Sequence, residues 1–186
     1  MTRAALLGGV FALALAQGAA AAVTDVASNG FTLKVSAVVA TTPEKAYAAV
    51  IEPARWWDSN HTYSGSAANL SLDARAGGCF CEKLADGGSV QHLTVIVAEP
   101  GKLLRLAGML GPFQSVAGSG VLTWMFSPAK SGTQLELTYQ ITGYADMSLR
   151  GKGYAEWAKA ADGMLTEQVA RLKRAIETGS PDAPAR

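Results

Sequence analysis

The spacing of apolar and polar positions divides the chain into short strands and one long helix. Residues 31–40 are rich in valine and read as a strand, and six further stretches alternate in the same way. These six lie at 70–74, 79–84, 90–98, 103–108, 120–126 and 134–142. The segments between them are rich in glycine, proline and aspartate, which favour turns. Successive strands with short connections predict an antiparallel meander.

From residue 153 to 177 the apolar period changes to that of a helix. Its apolar stripe holds Tyr154, Trp157, Ala158, Ala161, Leu165, Val169, Leu172 and Ile176. A shorter helix is expected after Thr42, where Pro43 suits the first turn, and Pro53 ends it before a second short turn at 54–57. The sequence therefore predicts an α+β fold, in which a curved antiparallel sheet packs on the C-terminal helix.

The first 22 residues have the pattern of a signal peptide. Arg3 is followed by an apolar run of about 13 residues, against the roughly 20 that a bilayer span needs, and then by small residues. We expect cleavage before Val23, with an uncleaved anchor helix as the alternative. The chain is thus predicted to be exported, to the periplasm or outside the cell. It would keep one domain at 23–177 and a disordered tail at 178–186, with no later membrane span.

Composition narrows the class of protein. The 186 residues include 16 Lys and Arg and 15 Asp and Glu, so no basic excess exists to bind nucleic acid. Hydrophobic residues make up 49% and charged residues 17%, the opposite of a disordered chain. Two cysteines are too few for a disulfide scaffold or a zinc site built only from cysteines.

Five segments carry a resemblance to a known family. They are ATTPEKAY at 40–47, IEP at 51–53 running into Trp56-Trp57, GGCFCE at 77–82, AEPGKLL at 98–104 and GTQLELT at 132–138. In this order the chain resembles the START/Bet v 1-like (SRPBCC) superfamily, and within it the branch named for the activator of Hsp90 ATPase. The resemblance covers roughly 31–177.

The resemblance implies a helix-grip fold, in which the sheet wraps the C-terminal helix and leaves a cavity between them. Members bind lipids, steroids, polyketides or other apolar molecules there. A minority catalyse cyclisation, dehydration or hydrolysis, and others bind protein partners. Fold alone does not choose among these functions.

The segment 55–65 is the densest in functional groups. Trp56 and Trp57 are adjacent, so one is expected to fill the core while the other lines the cavity mouth, unless both pack the helix on the sheet. His61 is a candidate general base or ligand contact, or alternatively a loop histidine bonded to backbone. Tyr63 belongs to the same predicted ligand-binding group.

Glu82 shares strand parity with Phe80 and Leu84. If that face is interior, the carboxylate faces an apolar cavity, where burial raises its pKa unless a cation or hydrogen-bond donors compensate. It could then hold a ligand hydroxyl or amine, or act as an acid or base. The alternative buries the two neighbouring cysteines and leaves Glu82 in water. Both remain open from the sequence.

Cys79 and Cys81 lie on one face of the same strand. Residues two apart in an extended strand hold their Cβ atoms farther apart than a disulfide requires, so a bond between them needs a kink, such as a bulge at 77–78. Buried thiols, a strained bridge and an intermolecular disulfide are the three outcomes. A metal site that combines the two cysteines with His92 is possible. The indication is weak, because His92 is distant in sequence and at an opposite-parity position of its strand. We therefore predict no metal and no cofactor.

The other predicted ligand contacts come from the later strands, the connection 107–119 and the final helix. Tyr139 is expected to point inward with its hydroxyl free for a ligand, or to be a core tyrosine with a backbone partner. The connection would be a lid or a surface hairpin loop. The remaining contacts are Met109 and Phe113 on the connection, Trp124 on its strand, and Trp157, Met164 and the polar Gln168 on the helix.

The sequence shows no Gly-x-Ser-x-Gly elbow, P-loop, dinucleotide fingerprint or His-Glu-x-x-His. It therefore favours an exported protein that binds an apolar or amphipathic small molecule over an enzyme. The first alternative is an enzyme of the polyketide cyclase/dehydratase or hydrolase kind, with Glu82, His61 or Tyr139 as acid–base groups. The second is a module that binds a protein partner, similar to chaperone activators.

Overall fold

A computed structural model describes residues 20–144 and 153–184. This part of the chain forms an eight-stranded antiparallel sheet and two α-helices. The strands are β1 Ala20–Ala27, β2 Gly30–Val39, β3 Leu70–Leu72, β4 Cys79–Lys83, β5 Ser89–Glu99, β6 Leu103–Ala107, β7 Gly118–Ala129 and β8 Gly132–Gly143. The helices are α1 Pro43–Val50 and α2 Tyr154–Thr178. The predicted α+β helix-grip fold is confirmed.

The strands are arranged in the order β1-β2-β8-β7-β6-β5-β4-β3. From β3 to β8 each strand pairs with the next in the chain, as the meander predicted. The exception is β2, which pairs with β8. The long connection from β2 to β3 therefore crosses the sheet, and it carries α1 and three single turns of 3-10 helix.

The core lies between the sheet and α2. Along β2 and β8 every second residue is buried, for example Leu33 and Val35 opposite Tyr139 and Leu137. The apolar stripe predicted for α2 is buried from Tyr154 to Leu172. At its end, Gly179 adopts the left-handed conformation (φ 81°), which glycine tolerates without a Cβ clash.

The strand β1 was not predicted. It spans the last three residues of the predicted leader and five residues beyond it, and it pairs with β2 through a bulge between Val23 and Asp25. The rest of the predicted leader lies outside the described residues. Within the described residues no helix is long and apolar enough to cross a membrane.

The residues that follow α2 fold back on it. Arg171 Nη1 lies 2.6 Å from Asp182 Oδ1, and Arg174 Nε donates to the carbonyl oxygen of Pro181. These contacts involve the described part of the segment for which the sequence predicted disorder.

Candidate functional site

A cavity of about 530 Å³ opens between the sheet, α2 and two loops. One loop is the segment 57–63 before β3, and the other is the β6–β7 connection around 110–113. Predicted ligand contacts that line this cavity are Trp57, His61, Tyr63, Phe113, Tyr139, Trp157 and Met164. Residues that were not predicted as ligand contacts also line it, among them Phe80 and His92.

The remaining predicted contacts lie elsewhere. Trp56, Trp124 and Gln168 border a second cavity of about 30 Å³ deeper in the core. Met109 is buried in the core, and Glu82 lies behind His92 rather than on the cavity wall. The two cavities share wall residues such as Trp57 and Phe80, whose ring centroids are 5.7 Å apart.

The two adjacent tryptophans have different surroundings. Trp56 is buried and donates its indole N–H to the carbonyl of Ala49 at 3.0 Å. Trp57 donates to the carbonyl of His61 at 3.0 Å and places its ring on the main cavity. Arg171 of α2 donates to the carbonyl of Trp56, so the helix holds this segment in place.

Glu82 is buried on the inner face of β4, with 1% of its surface exposed. Its carboxylate accepts hydrogen bonds from His92 Nε2 at 2.9 Å, from the backbone N–H of Tyr63 at 3.1 Å and from the backbone N–H of Ser64. Burial raises the pKa of Glu82, but hydrogen bonding by the side chain and backbone of Ser64, by the backbone of Tyr63 and by His92 outweighs burial and brings the pKa below its usual range. Glu82 is therefore an ionised carboxylate inside the protein.

A β-bulge turns His92 toward Glu82. Phe80 pairs with Leu93 and Cys81 pairs with Gln91, so His92 is an additional residue on β5. Because of this extra residue His92 and Leu93 are both buried, although they are consecutive. From the sequence, His92 was considered only as a weakly indicated metal ligand with the two cysteines, and a regular alternation gives no signal of the bulge that brings it to Glu82.

The imidazole of His92 is packed between aromatic rings. Its centroid lies 5.1 Å from that of Phe80 and 5.9 Å from that of Tyr63. Burial lowers the pKa of His92 and outweighs the opposing effect of Glu82, so the ring is neutral. Its Nδ1 is buried and has no hydrogen-bond partner among the residues that the structure describes.

Cys79 and Cys81 form a disulfide on the outer side of β4. Their Cα atoms are 5.3 Å apart, compared with about 6.6 Å for residues two apart in a regular strand. The strand is therefore contracted at Phe80, which is where the register with β5 shifts. The kink that the sequence analysis required is present, but it lies at this point and not at 77–78.

Tyr139 points inward, and its hydroxyl is used by the backbone of the β6–β7 connection. It accepts from the N–H of Leu110 at 2.9 Å and donates to the carbonyl of Gly108 at 3.4 Å. Burial raises the pKa of Tyr139, so the hydroxyl stays protonated. These contacts correspond to the alternative of a core tyrosine with backbone partners.

The β6–β7 connection covers the cavity. Tyr63 Oη lies 2.9 Å from the carbonyl oxygen of Gly111 and 3.1 Å from Gln114 Oε1. Gln114 in turn donates to the carbonyl of Gln91 on β5 at 2.7 Å. Phe113 packs on Trp157 with centroids 5.4 Å apart. The connection and the loop of Tyr63 therefore form a shared roof.

Gln168 joins α2 to the loop 57–63, since its Oε1 accepts from the N–H of Asp58 at 2.9 Å. Its Nε2 is buried with no partner in the described part of the chain. Across 20–144 and 153–184 no three His, Cys, Asp or Glu residues are grouped as metal ligands would be. Glu82 and His92 bind each other.

Residues 30–177 match the family described as polyketide cyclase/dehydrase and lipid transport. The chain belongs to this family. The match covers the sheet from β2 to β8 and nearly all of α2, and hence both walls of the cavity. It does not single out the narrower branch of Hsp90 ATPase activators. A search of curated proteins gave no significant match.

Solved structures agree on the fold. A protein from Chromobacterium violaceum superposes with a TM-score of 0.53 at 18% identity, over 78% of this chain and 97% of that one. A protein of unknown function from Enterococcus faecalis gives 0.55 at 12% identity, over 89% and 80%. The di-domain ARO/CYC StfQ from the steffimycin biosynthetic pathway gives 0.54 at 16% identity, over 82% and 52%. At these identities the likeness concerns the fold alone.

Proposed function

We propose that this chain is an exported protein that holds a small apolar or amphipathic molecule between the sheet and α2. The observation that carries the proposal is the cavity of about 530 Å³, which lies within the roughly 300–1,000 Å³ typical of ligand pockets. Its walls are mainly apolar and aromatic, including Phe80, Phe113 and Trp157, and its polar groups are few. Family membership supports the same function.

The polar side chains of the cavity come from the loop 57–63 and from the sheet, and not from the face that α2 presents. His92 and Tyr63 line the wall in front of the Glu82 carboxylate, whereas α2 contributes Trp157, Ala161 and Met164. A ligand with one polar end and an apolar body fits this division, because unpaired polar groups are costly to bury. The proposal therefore concerns amphipathic molecules first.

Binding is tested with a fluorescent amphipathic probe, 1-anilinonaphthalene-8-sulfonate. The variant Ala161→Phe adds a ring to the cavity wall and should weaken binding of the probe at least about tenfold. The control Ala155→Phe makes the same change on an exposed position of α2 that does not line the cavity. Equal affinities in the two variants, both folded by circular dichroism, would contradict the proposal.

Native and denaturing mass spectrometry of the purified protein complement this test. A mass that is present in the native spectrum and lost on denaturation would identify a molecule that co-purifies with the chain. The protein should be compared with Ala161→Phe, which should carry less of that mass because the added ring occupies the cavity.

Export is supported by the leader-like pattern of residues 1–22 and by the Cys79–Cys81 disulfide, because disulfides persist mainly in oxidising compartments. Cleavage before Val23 would leave Val23 to Ala27 paired with β2. Expression of the full chain in a bacterium, followed by fractionation and intact-mass measurement, should give a chain that starts at Val23 outside the cytoplasm. A full-length cytoplasmic chain would contradict export.

A further inference from the structure

The Glu82–His92 pair has a definite direction of hydrogen bonding. The Glu82 carboxylate has no hydrogen to donate, so the bond of 2.9 Å between Oε2 and His92 Nε2 requires a hydrogen on Nε2. The lowered pKa of Glu82 is consistent with the ionised carboxylate. In a neutral imidazole the other nitrogen then carries a lone pair. His92 Nδ1 is therefore an acceptor.

This acceptor has no partner within the described residues, and protein atoms shield it from water. A buried acceptor without a donor is unfavourable, so a bound molecule that supplies an O–H or an acidic C–H would stabilise the site. His92 lines the cavity, and the ring that packs beside it belongs to Tyr63, which is 53% exposed. Tyr63 is thus the side chain that can give way when a ligand approaches the imidazole.

We propose that His92 Nδ1 is a general base for a molecule bound in the cavity, with Glu82 as its positioning residue. The inference rests on the binding function proposed above. Glu82 would stabilise the imidazolium that forms when Nδ1 takes a proton, because the carboxylate already contacts Nε2–H. The aromatic walls, including Trp57 and Phe80, favour a substrate with a flat apolar ring and an acidic C–H or O–H.

The other acid–base candidates suit this role less well. The Tyr139 hydroxyl is engaged with Leu110 and Gly108. Glu82 already accepts from three donors and lies behind His92. His61 is exposed at the cavity mouth, whereas a buried carboxylate contacts His92. His61 is therefore the natural control for His92.

A probe reaction tests the base directly. The small aromatic compound 5-nitrobenzisoxazole opens when a base removes the proton on its ring carbon. The C–H electron pair forms the nitrile, and the N–O bond breaks with its pair on the phenolate oxygen. His92 Nδ1 would hold the proton and release it to water afterwards. No other reactant is needed, and the phenolate is coloured.

The purified protein should accelerate this reaction above the rate in buffer with equal free imidazole. His92→Gln keeps a donor for Glu82 but lacks a basic nitrogen, so the rate should fall about 100-fold or to background. His61→Gln makes the matched change at the cavity mouth, and its rate should fall much less than that of His92→Gln, because the proposed base is His92 Nδ1. A rate that survives in His92→Gln, or that is lost only in His61→Gln, would overturn the proposal.

Nitrogen-15 NMR of the two histidines gives a readout that is independent of activity. At neutral pH the His92 signals should show Nε2 protonated and Nδ1 unprotonated. In Glu82→Gln an amide N–H can donate to Nε2 instead, so the tautomer should shift toward a hydrogen on Nδ1. A protonated Nδ1 in the wild-type protein would overturn the proposal even if His92→Gln does not fold.

Failure of this inference is distinguishable from failure of the binding proposal. If the wild-type protein binds 1-anilinonaphthalene-8-sulfonate and 5-nitrobenzisoxazole displaces it, but no rate depends on His92, the cavity binds ligands and the base assignment is wrong. If neither compound binds the folded protein, both proposals are wrong.

Discussion

Two halves of one sheet differ in regularity. Along β2, β8 and β7 the strands are long, the register between β2 and β8 is unbroken, and inward and outward residues alternate. Along β4 and β5 the register shifts, a disulfide contracts one strand, and His92 is an additional residue in the other. The charged group buried in the sheet, Glu82, lies in the irregular half. The regular half thus supports the core, and the irregular half turns polar side chains inward.

The largest expected loss of stability comes from a core substitution, which tests whether the two halves can be disturbed separately. Leu135→Ala on β8 removes a fully buried side chain from the regular half and should lower the free energy of unfolding by about 2–5 kcal/mol. It should leave the His92 NMR signals unchanged, because β8 does not pair with β4 or β5. Urea denaturation and NMR are the measurements.

Leu93→Ala is the matched change in the irregular half, at a residue that is equally deep and adjacent to the bulge. It should lower stability by a similar amount and also shift the His92 signals. If both variants shift those signals alike, the two halves are one mechanical unit and the distinction between them is wrong.

The sequence predicted the regular half well. The strands from 120–126 and 134–142 and the helix from 153–177 agree with β7, β8 and α2, although β7 and β8 are longer. Alternation of apolar and polar residues is a sufficient signal there, because successive side chains of an unbroken strand point in turn to the buried and to the exposed face of the sheet. The strand β1 was missed because residues 22–27 are all exposed and follow a leader-like segment, so they show no inward and outward alternation.

The candidate site was predicted only in part, for a physical reason. Glu82 was considered for the interior, and it is there, but its partner His92 was considered only as a weakly indicated metal ligand with the cysteines. A bulge inserts one residue and reverses parity, and no composition signal marks it. The contacts from Tyr63 and Ser64 come from a loop whose path depends on the whole fold.

A smaller effect compares the carboxylates of the two halves. Glu82→Gln places an amide N–H against one of the backbone N–H groups of Tyr63 and Ser64, so stability should fall by about 1–3 kcal/mol. Glu136→Gln in the regular half removes only a partly exposed pair with Lys34, and its effect should be about 0–1 kcal/mol. Urea denaturation measures both, and equal losses would contradict the assigned difference.

Removal of the disulfide tests what maintains the irregular half. Replacing Cys79 and Cys81 together by serine opens a loop of only three residues, so the expected loss of stability is about 1–2 kcal/mol. β4 can then extend, and the His92 signals should broaden or move because the bulge lies opposite this point. A dithiol reductant should reproduce the change in the wild-type protein and have no effect on the serine variant.

The smallest expected effect is a pH dependence that arises in the irregular half. Burial lowers the pKa of His92 in the folded protein below its ordinary value of 6.5, so the unfolded chain binds a proton first as pH falls. The stability that neutral His92 contributes is therefore complete above about pH 6.5 and decreases below it, by at most about 1.4 kcal/mol per pH unit.

His92→Gln should remove that slope just below pH 6.5, where carboxylates are still ionised. The chain has two histidines, and His61 is retained in both proteins, so the difference between the two stability curves belongs to His92. Urea denaturation at a series of pH values gives both curves. If the stability curves of the wild type and of His92→Gln run parallel below pH 6.5, His92 is not held neutral by its surroundings. The pH dependence of stability would then give no support to the neutral tautomer on which the base assignment depends.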